Sequence, residues 1–440
     1  MQPVRSPVSF ALAGIALAAL HVASPARADA VTDWNIKAAE FITDAKLGTP
    51  PAMRVMAVVQ TAVHDAAQQV PAASQDAAVA AANRATLMAL LPAQKAAIET
   101  TYTTMLAALP DASAKAAGIA AGERAAAAVL GARAKEAPVF AAVDMTRPHI
   151  GNQPGVYVPT VLPAATAWAA RTPWVMTGPA QFRPGPPVAL ASDTWTRDFD
   201  EIKAYGGRDS KARSAEQTEI ARFWDYSLPA IYHGVVRSVA LTPGRDVAAN
   251  ARLFATVAQA MDDALIAVFD AKHHYRFWRP VTAIRNADLD GNDATSRDAG
   301  WLPLIDTPMH PEYPSGHSIL AGAVGAVLKA EVGSAPVTLA TSSPTAKGAT
   351  RQWTRIDDFV NEVAMARVWG GLHYRSTNEV SLVMGRAIGE LAVRKARQQA
   401  ALQAAEMGGE KAGEKSGKAE QGVKPEKVER GERALVATAQ

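Results

Sequence analysis

An all-α fold is what this sequence predicts, and three observations carry the prediction. Alanine is heavily used, aromatic residues make up only 6% of the chain, and long β-branched runs are scarce, a mixture that favours helix over strand. Several long stretches place apolar residues at helical spacing. The chain is 49% hydrophobic and 20% charged, as a folded globular protein is, and its 440 residues suffice for one large or two ordinary domains. A net charge of +3 without a basic arm or aromatic–basic alternation argues against a nucleic-acid partner. The chain has no cysteine, which excludes disulfides, thiolate metal sites and cysteine nucleophiles.

Residues 1–28 have the pattern of a signal peptide: Arg5, an apolar run from Val8 to Val22, then Ala26-Arg27-Ala28 as a small-residue cleavage site. The run is short for a membrane span; an uncleaved anchor is the plainer alternative. The expectation is an exported protein, periplasmic or secreted, with no transmembrane anchor after cleavage. Residues 29–195 form an N-terminal helical region with a Pro-rich covering segment. Within it Met53–Ala67 and Asp111–Lys135 are Ala-rich helices, and Leu91-Pro92 and Leu109-Pro110 mark boundaries, because a residue before proline is pushed out of the helical region. From 137 to 195 prolines recur among Gly and Thr, with Trp168, Trp174 and Trp195 as anchors over the body.

Residues 196–405 form a helical bundle that carries the chemistry. Its expected helices are Thr196–Tyr205, Ser214–Tyr226, Val247–Trp278 stopped by Pro280, about His317 to Val332, Ile356–Trp369, and Glu379 to about Ala405, with a loop over Asn286–Pro314. Residues 406–440 are expected to be a disordered charged tail, since 407–433 hold 7 Lys/Arg and 6 Glu and almost nothing apolar.

Three local patterns carry chemistry. Lys272 and Arg279 are seven apart, which on one helix puts both cations on one face, ready for a multiply charged anion; read alone, a solvated basic face is the simpler explanation. Pro314-Ser315-Gly316-His317 runs straight into an apolar helix. Free N–H groups and the macrodipole make such a start an anion site, Gly316 permits close approach, and His317 can exchange protons near neutrality. A plain serine cap with an incidental histidine is the alternative. In Arg367-Val368-Trp369-Gly370-Gly371-Leu372-His373 the diglycine ends the helix carrying Arg367. His373 then precedes a new helix start, where Ser376 and Glu379 have capping-box spacing.

Taken together, Lys-x6-Arg-Pro, Pro-Ser-Gly-His and Ala-Arg-x5-His in this order resemble the signature of the vanadium-dependent haloperoxidase and type 2 phosphatidic acid phosphatase superfamily. Trp34-Asn35, Ala62–Ala66, Pro154–Pro159, Arg279–Arg285 and Thr307–His317 also read like its bacterial secreted haloperoxidase-like members. The resemblance implies helical bundles of the vanadium haloperoxidase and acid phosphatase type, with vanadate as cofactor. It implies that Lys272, Arg279 and Arg367 neutralise the oxyanion, that Ser315 and the Gly316 N–H donate to it, and that His373 bonds the metal or attacks phosphorus. His317 is implied as the acid–base group. The implied partners are hydrogen peroxide, a halide and a small organic substrate, or a phosphate ester; a homodimer is compatible with it.

Three positions qualify that picture. The family often carries an aspartate four residues after the third-motif histidine, where this chain has Thr377, followed by Asn378; the carboxylate beside His373 is missing or supplied from elsewhere. His310, five residues before Ser315, stands where chloroperoxidases tend to have Phe and bromoperoxidases His, and Phe269 stands where fungal chloroperoxidases have Trp. These two are the halide-tuning candidates, and His310 favours bromide. The leading expectation is a haloperoxidase. The alternatives are an acid phosphatase acting through a phosphohistidine at His373, or an oxyanion-binding protein without turnover. His64 reads as a packed helix residue, His149 and His233 as solitary, and His273-His274 as structural rather than metal-binding.

Overall fold

Polar caps set the helix starts. In the computed structural model, which describes residues 29–109, 112–136, 153–159 and 163–420, Asp29 accepts the Thr32 N–H at 2.8 Å and opens α1 (Ala30–Asp44). Prolines at the first turn open α2 (Thr49–Gln68). Next come α3 (Ala72–Leu90), α4 (Lys95–Ala107) and α5 (Ala112–Arg133). Ser192 caps α6 (Asp193–Gly206), and a Ser214–Gln217 capping box opens α7 (Ala215–Phe223). Helix α8 (Pro229–Ala240) starts at a proline. Asp246 caps α9 (Val247–Tyr275), which is followed by α10 (Pro280–Arg285). The series closes with α11 (Gly316–Val332), α12 (Ile356–Trp369) and α13 (Arg375–Glu420).

The long, mostly buried α9 is the axis of the molecule. The Ala-rich α2 packs on it, with α3 and α5 against α2; α11 and α13 pack on it as well, and one continuous apolar core runs from Val31 to Ala392 through both groups. Small side chains let these helices approach closely. At Gly385 of α13 an added Cβ would lie 2.1 Å from the Ile319 carbonyl oxygen of α11.

Within the described part of the Pro-rich segment, acids on α9 hold Trp174–Met176 and Arg183. Asp263 accepts the backbone N–H groups of Trp174, Val175 and Met176 at 2.7, 2.9 and 3.0 Å. Asp262 accepts the Trp174 indole at 2.7 Å and Arg54 at 2.6 Å, while Arg183 grips Asp270 through two bonds. Trp195 belongs to α6 instead, stacked on Trp278 with ring centroids 6.0 Å apart.

Several boundaries differ from expectation for identifiable reasons. Helix α9 ends at Tyr275, where Arg276 turns left-handed (φ 53°) and bonds back to the Lys272 carbonyl, three residues short of Trp278. A two-stranded antiparallel hairpin, β1 (Leu339–Ser343) and β2 (Ala349–Trp353), interrupts the helices and leans on α8, with Thr341 donating to the Ile231 carbonyl at 2.9 Å. Helix α13 begins at Arg375, ahead of Ser376, so the expected capping box does not form: Asp198 of α6 takes the Ser376 N–H at 3.0 Å. The backbone of α13 stays helical to Glu420 rather than stopping near Ala405, as the Ala, Glu and Lys content of 406–420 and its freedom from proline permit. The signal-peptide reading, His149 and residues 421–440 lie outside the described residues. Among the described residues, no helix is long and apolar enough to cross a membrane.

Candidate active site

The candidate residues come from five chain positions that the packing brings to one cavity of about 510 Å³. Lys272, Gly316, His317, Arg367, His373, His310 and Phe269 line it, with Asp225 and Ser227 after α7, and Gly48–Pro50 at the start of α2, Ala164–Ala165 and Asp306–Met309 wall it. Ser315 and Arg279 stand directly behind, fully buried.

Lys272 is in the last turn of α9 and donates to the Pro311 and Glu312 carbonyls at 2.7 and 2.8 Å. Arg279 is not on that helix, contrary to the expectation of two cations on one helical face. After the left-handed turn at Arg276 the chain runs extended and pairs Phe277 with Val156. Arg279 then caps α10 in an extended conformation (ψ 154°), as a residue preceding proline must. Its guanidinium nevertheless reaches the same place. It donates to the Leu372 carbonyl at 2.9 Å and the His310 carbonyl at 3.0 Å, and approaches His310 Nδ1 at 3.0 Å and His373 Nε2 at 3.2 Å.

Ser315 caps α11, accepting the Ser318 N–H at 3.4 Å, while its own N–H is taken by Ser381 of α13 at 2.7 Å. Ser318 in turn donates to Asn378 at 2.8 Å. The N–H groups of Gly316 and His317 have no acceptor within the helix at this end, and a Cβ added at Gly316 would meet nothing within 4 Å. The His317 ring bonds the Asp225 backbone carbonyl, and its buried Nε2 has no partner. Arg367, in the last turn of α12, donates to the Trp224 carbonyl at 2.8 Å and leaves Nε without a partner. The diglycine ends α12 as expected; Gly371 takes φ 78° against the Gly206 carbonyl, a conformation and a clearance that glycine alone supplies. Phe269 meets His310 edge-on at 5.3 Å.

Glu312 is the residue that sequence reasoning missed. Its Oε1 lies 2.9 Å from His373 Nδ1 and 3.2 Å from the Tyr374 N–H, and its Oε2 accepts Thr377 Oγ1 at 3.0 Å. The carboxylate absent from position 377 is thus supplied from the loop before Ser315. The only signal was an acid among the prolines and aromatics of Pro311-Glu312-Tyr313-Pro314. His233 is likewise not solitary: its Nδ1 is 2.8 Å from the Asn35 amide, inside the core.

The electrostatics are one-sided. Three buried cations, Lys272, Arg279 and Arg367, and one buried carboxylate, Glu312, stand at or behind the cavity, while the more exposed Asp225 and Asp306 also line it. Burial, then Arg279 and Arg367, push the Lys272 ammonium well below its usual range. Burial pushes Arg279 and Arg367 down to about 10. Burial and the three cations likewise lower His317 and His373, and burial raises the Glu312 carboxyl to about 7 against the pull of Arg279 and Lys272. Buried charge without a counter-charge is costly, so a multiply negative ligand complements this cavity. The unpartnered Arg367 Nε and His317 Nε2 and the open space over Gly316 fit a vanadate-like or phosphate-like oxyanion.

Residues 252–401 match the family model described as the VCPO second helical-bundle domain. The vanadium chloroperoxidase of Curvularia inaequalis is 31% identical over 176 residues, 32% of this chain, and the chain spans only 28% of that protein's length. A bacterial vanadium-dependent iodoperoxidase structure superposes with a TM-score of 0.69 at 22% identity, over 83% of this chain and 96% of that one. An apo-type bacterial vanadium-dependent chloroperoxidase does so with a TM-score of 0.65 at 18% identity, over 79% and 92%. At these identities the two structures speak for the shared helical-bundle fold, while the matched bundle contains all three sequence motifs. The chain is thus similar to the vanadium haloperoxidases: residues 252–401 match their second helical-bundle domain, and most of the chain shares the fold of the bacterial members.

Proposed function

We propose that the chain is a vanadate-dependent haloperoxidase-like enzyme that oxidises a halide, bromide in preference to chloride, with hydrogen peroxide. The observation that carries this reading is the convergence of buried Lys272 and Arg367 on one cavity, with buried Arg279 held against His310 and His373 of its lining. Vanadate, when bound, supplies a Lewis-acidic centre that activates the peroxide without changing its own oxidation state. The chain's residues do the rest. Lys272, Arg279 and Arg367 neutralise the oxyanion's oxygens, Ser315 and the Gly316 N–H donate to them, and these fixed donors need no reorganisation. His373 presents Nε2 as the metal ligand. His317, with Nε2 free and its ring beside the Asp225 backbone, would hold or deliver a proton to the bound oxyanion. His310 and Phe269 shape the halide's approach.

An acid phosphatase is the second reading, and the His373–Glu312 contact favours it, because a histidine oriented by a carboxylate is suited to attack phosphorus. That contact also removes the ground for a site without turnover, which rested on the lack of a carboxylate at Thr377. On this reading residues 29–195 form the N-terminal helical region and 196–405 the catalytic bundle, the protein is exported, and a small organic molecule or a phosphate ester meets it at the cavity mouth.

Peroxide-dependent bromination with added orthovanadate, assayed beside hydrolysis of an aryl phosphate, separates the readings. Bromination supports the first. No bromination at any pH with vanadate bound sinks it, and hydrolysis that vanadate inhibits establishes the second. His373→Ala abolishes whichever activity is present.

A further inference from the structure

We propose that Glu312 is the positioning residue of His373: with Arg279 it fixes the imidazole as the Nδ1–H tautomer, so that the Nε2 lone pair faces the cation cluster. The assignment deepens the haloperoxidase reading and rests on it for its vanadate arm alone.

Donor and acceptor chemistry carries the argument. Arg279 Nη1 lies 3.2 Å from His373 Nε2, and a guanidinium has hydrogens to give and no lone pair to accept with. Nε2 therefore faces it as an acceptor. In a neutral imidazole the proton then sits on Nδ1, 2.9 Å from Glu312 Oε1. That oxygen also faces the Tyr374 backbone N–H at 3.2 Å, another pure donor, so Oε1 is an acceptor from both sides. The second oxygen is held as well: Thr377 Oγ1, 3.0 Å away, donates to Oε2. Thr377 is thus the residue that orients the carboxylate, and Lys272 fixes the same loop from the other side through the Pro311 and Glu312 carbonyls. Glu312 and His373 are both buried, at 0% and 2% exposure, so water does not compete for these bonds. Anionic oxygen behind Nδ1–H makes Nε2 a better ligand, the usual effect of a carboxylate behind a metal-binding histidine.

The decisive measurements need no turnover. Two-bond ¹H–¹⁵N correlation spectra of the histidine-labelled full chain, with His373 assigned by its loss in His373→Gln, report which nitrogen is protonated. The expected spectrum shows Nδ1 protonated and Nε2 bare without any added anion; a proton on Nε2 overturns the proposal even if the protein binds no oxyanion, an outcome that would separately sink the functional reading. The second measurement compares orthovanadate and inorganic phosphate binding in Glu312→Gln. The amide keeps an acceptor for Nδ1–H and Tyr374 but loses the charge. Vanadate, which bonds to Nε2, is expected to bind about 10–100-fold more weakly, with phosphate affinity unchanged or tighter because one negative charge has left the cavity. Parallel loss of both affinities would mean that Glu312 only supports the fold, and unchanged vanadate affinity would refute its influence on His373.

Discussion

Gly385→Ala tests whether close packing of α11 on α13 holds the site together. The new Cβ would lie 2.1 Å from the Ile319 carbonyl oxygen and 3.0 Å from the Ala323 nitrogen. Both are backbone atoms of a rigid helix, so the helices must part by about 1 Å to reach ordinary van der Waals contact. Ile319 is one turn past Ser315, and Ser381 is one turn before Gly385, so the displacement falls on the two bonds that lock the anion-binding helix start. These are Ser315 N–H to Ser381 Oγ at 2.7 Å and Ser318 Oγ to Asn378 at 2.8 Å. Overpacking costs about 1–3 kcal/mol, and each weakened buried hydrogen bond about 1 kcal/mol more. The better helix propensity of alanine returns at most about 1 kcal/mol, leaving a net loss of roughly 2–4 kcal/mol. For a chain of this length that corresponds to a Tm lower by about 2–4 °C. Oxyanion affinity, read by calorimetry with phosphate, is expected to fall at least about 10-fold, since only 1.4 kcal/mol of misalignment is needed for that. Gly131→Ala, on the exposed face of α5 with nothing within 4 Å of the new atom, is the control and should be neutral or slightly stabilising. A Gly385→Ala protein as stable as this control, with wild-type phosphate affinity, would refute the reasoning.

The remaining predictions concern charge. His317 is held below its usual pKa by burial and the three cations, so it is neutral at pH 7 until an anion offsets them. Anion binding then raises its pKa and takes up a proton, and affinity climbs as pH falls; calorimetry in two buffers should show more proton uptake in wild type than in His317→Gln, and equal uptake would contradict it. His310→Phe should shift halide preference toward chloride, but it also deprives Arg279 Nη2 of the Nδ1 partner at 3.0 Å, so vanadate binding should weaken by about 1–3 kcal/mol; an unchanged bromide-to-chloride ratio removes His310 from halide choice. Burial raises the Asp65 carboxyl to about 6. A carboxyl raised on folding favours the fold below its unfolded value and loses that contribution as pH rises through 6, so Asp65→Asn should raise Tm at pH 8 and leave it nearly unchanged at pH 4. An equal gain at both pH values would rule out titration as the cause.

Local signals determined which parts of the fold could be read in advance. Helix α12 occupies the residues the pattern assigned to it, because Arg355 and the diglycine bracket one clear apolar stripe. Helix α9 starts at Val247 as expected, and Asp246 caps it. Its end was not legible, because the terminator is a left-handed arginine, Arg276, and nothing in the local sequence favours that conformation over more helix. Pro280 drew attention four residues too late. Helix α8 was passed over although Pro229 opens it, and the hairpin was missed because Leu339–Ser343 and Ala349–Trp353 hold few β-branched residues.

The site divides along the same line. Lys272, Arg279, Ser315–His317, Arg367 and His373 were visible because each motif is short and its residues act through their own helix ends. The residues that prepare them were not visible, because their roles exist only across long stretches of chain. Glu312 meets a histidine 61 positions away, and Trp224 accepts from an arginine 143 positions away through a backbone carbonyl that any residue could supply. A backbone acceptor leaves no trace in residue identity. A side-chain acceptor does, and Glu312 is an acid buried beside prolines and aromatics, where only a donor could justify it. Thr377 then gains a meaning it lacked alone. Position 377 still serves the orientation of His373, now as a hydroxyl donating to the carboxylate rather than as the carboxylate itself. A substitution at a motif position is therefore better judged by what its neighbour in space has become than by its own chemistry.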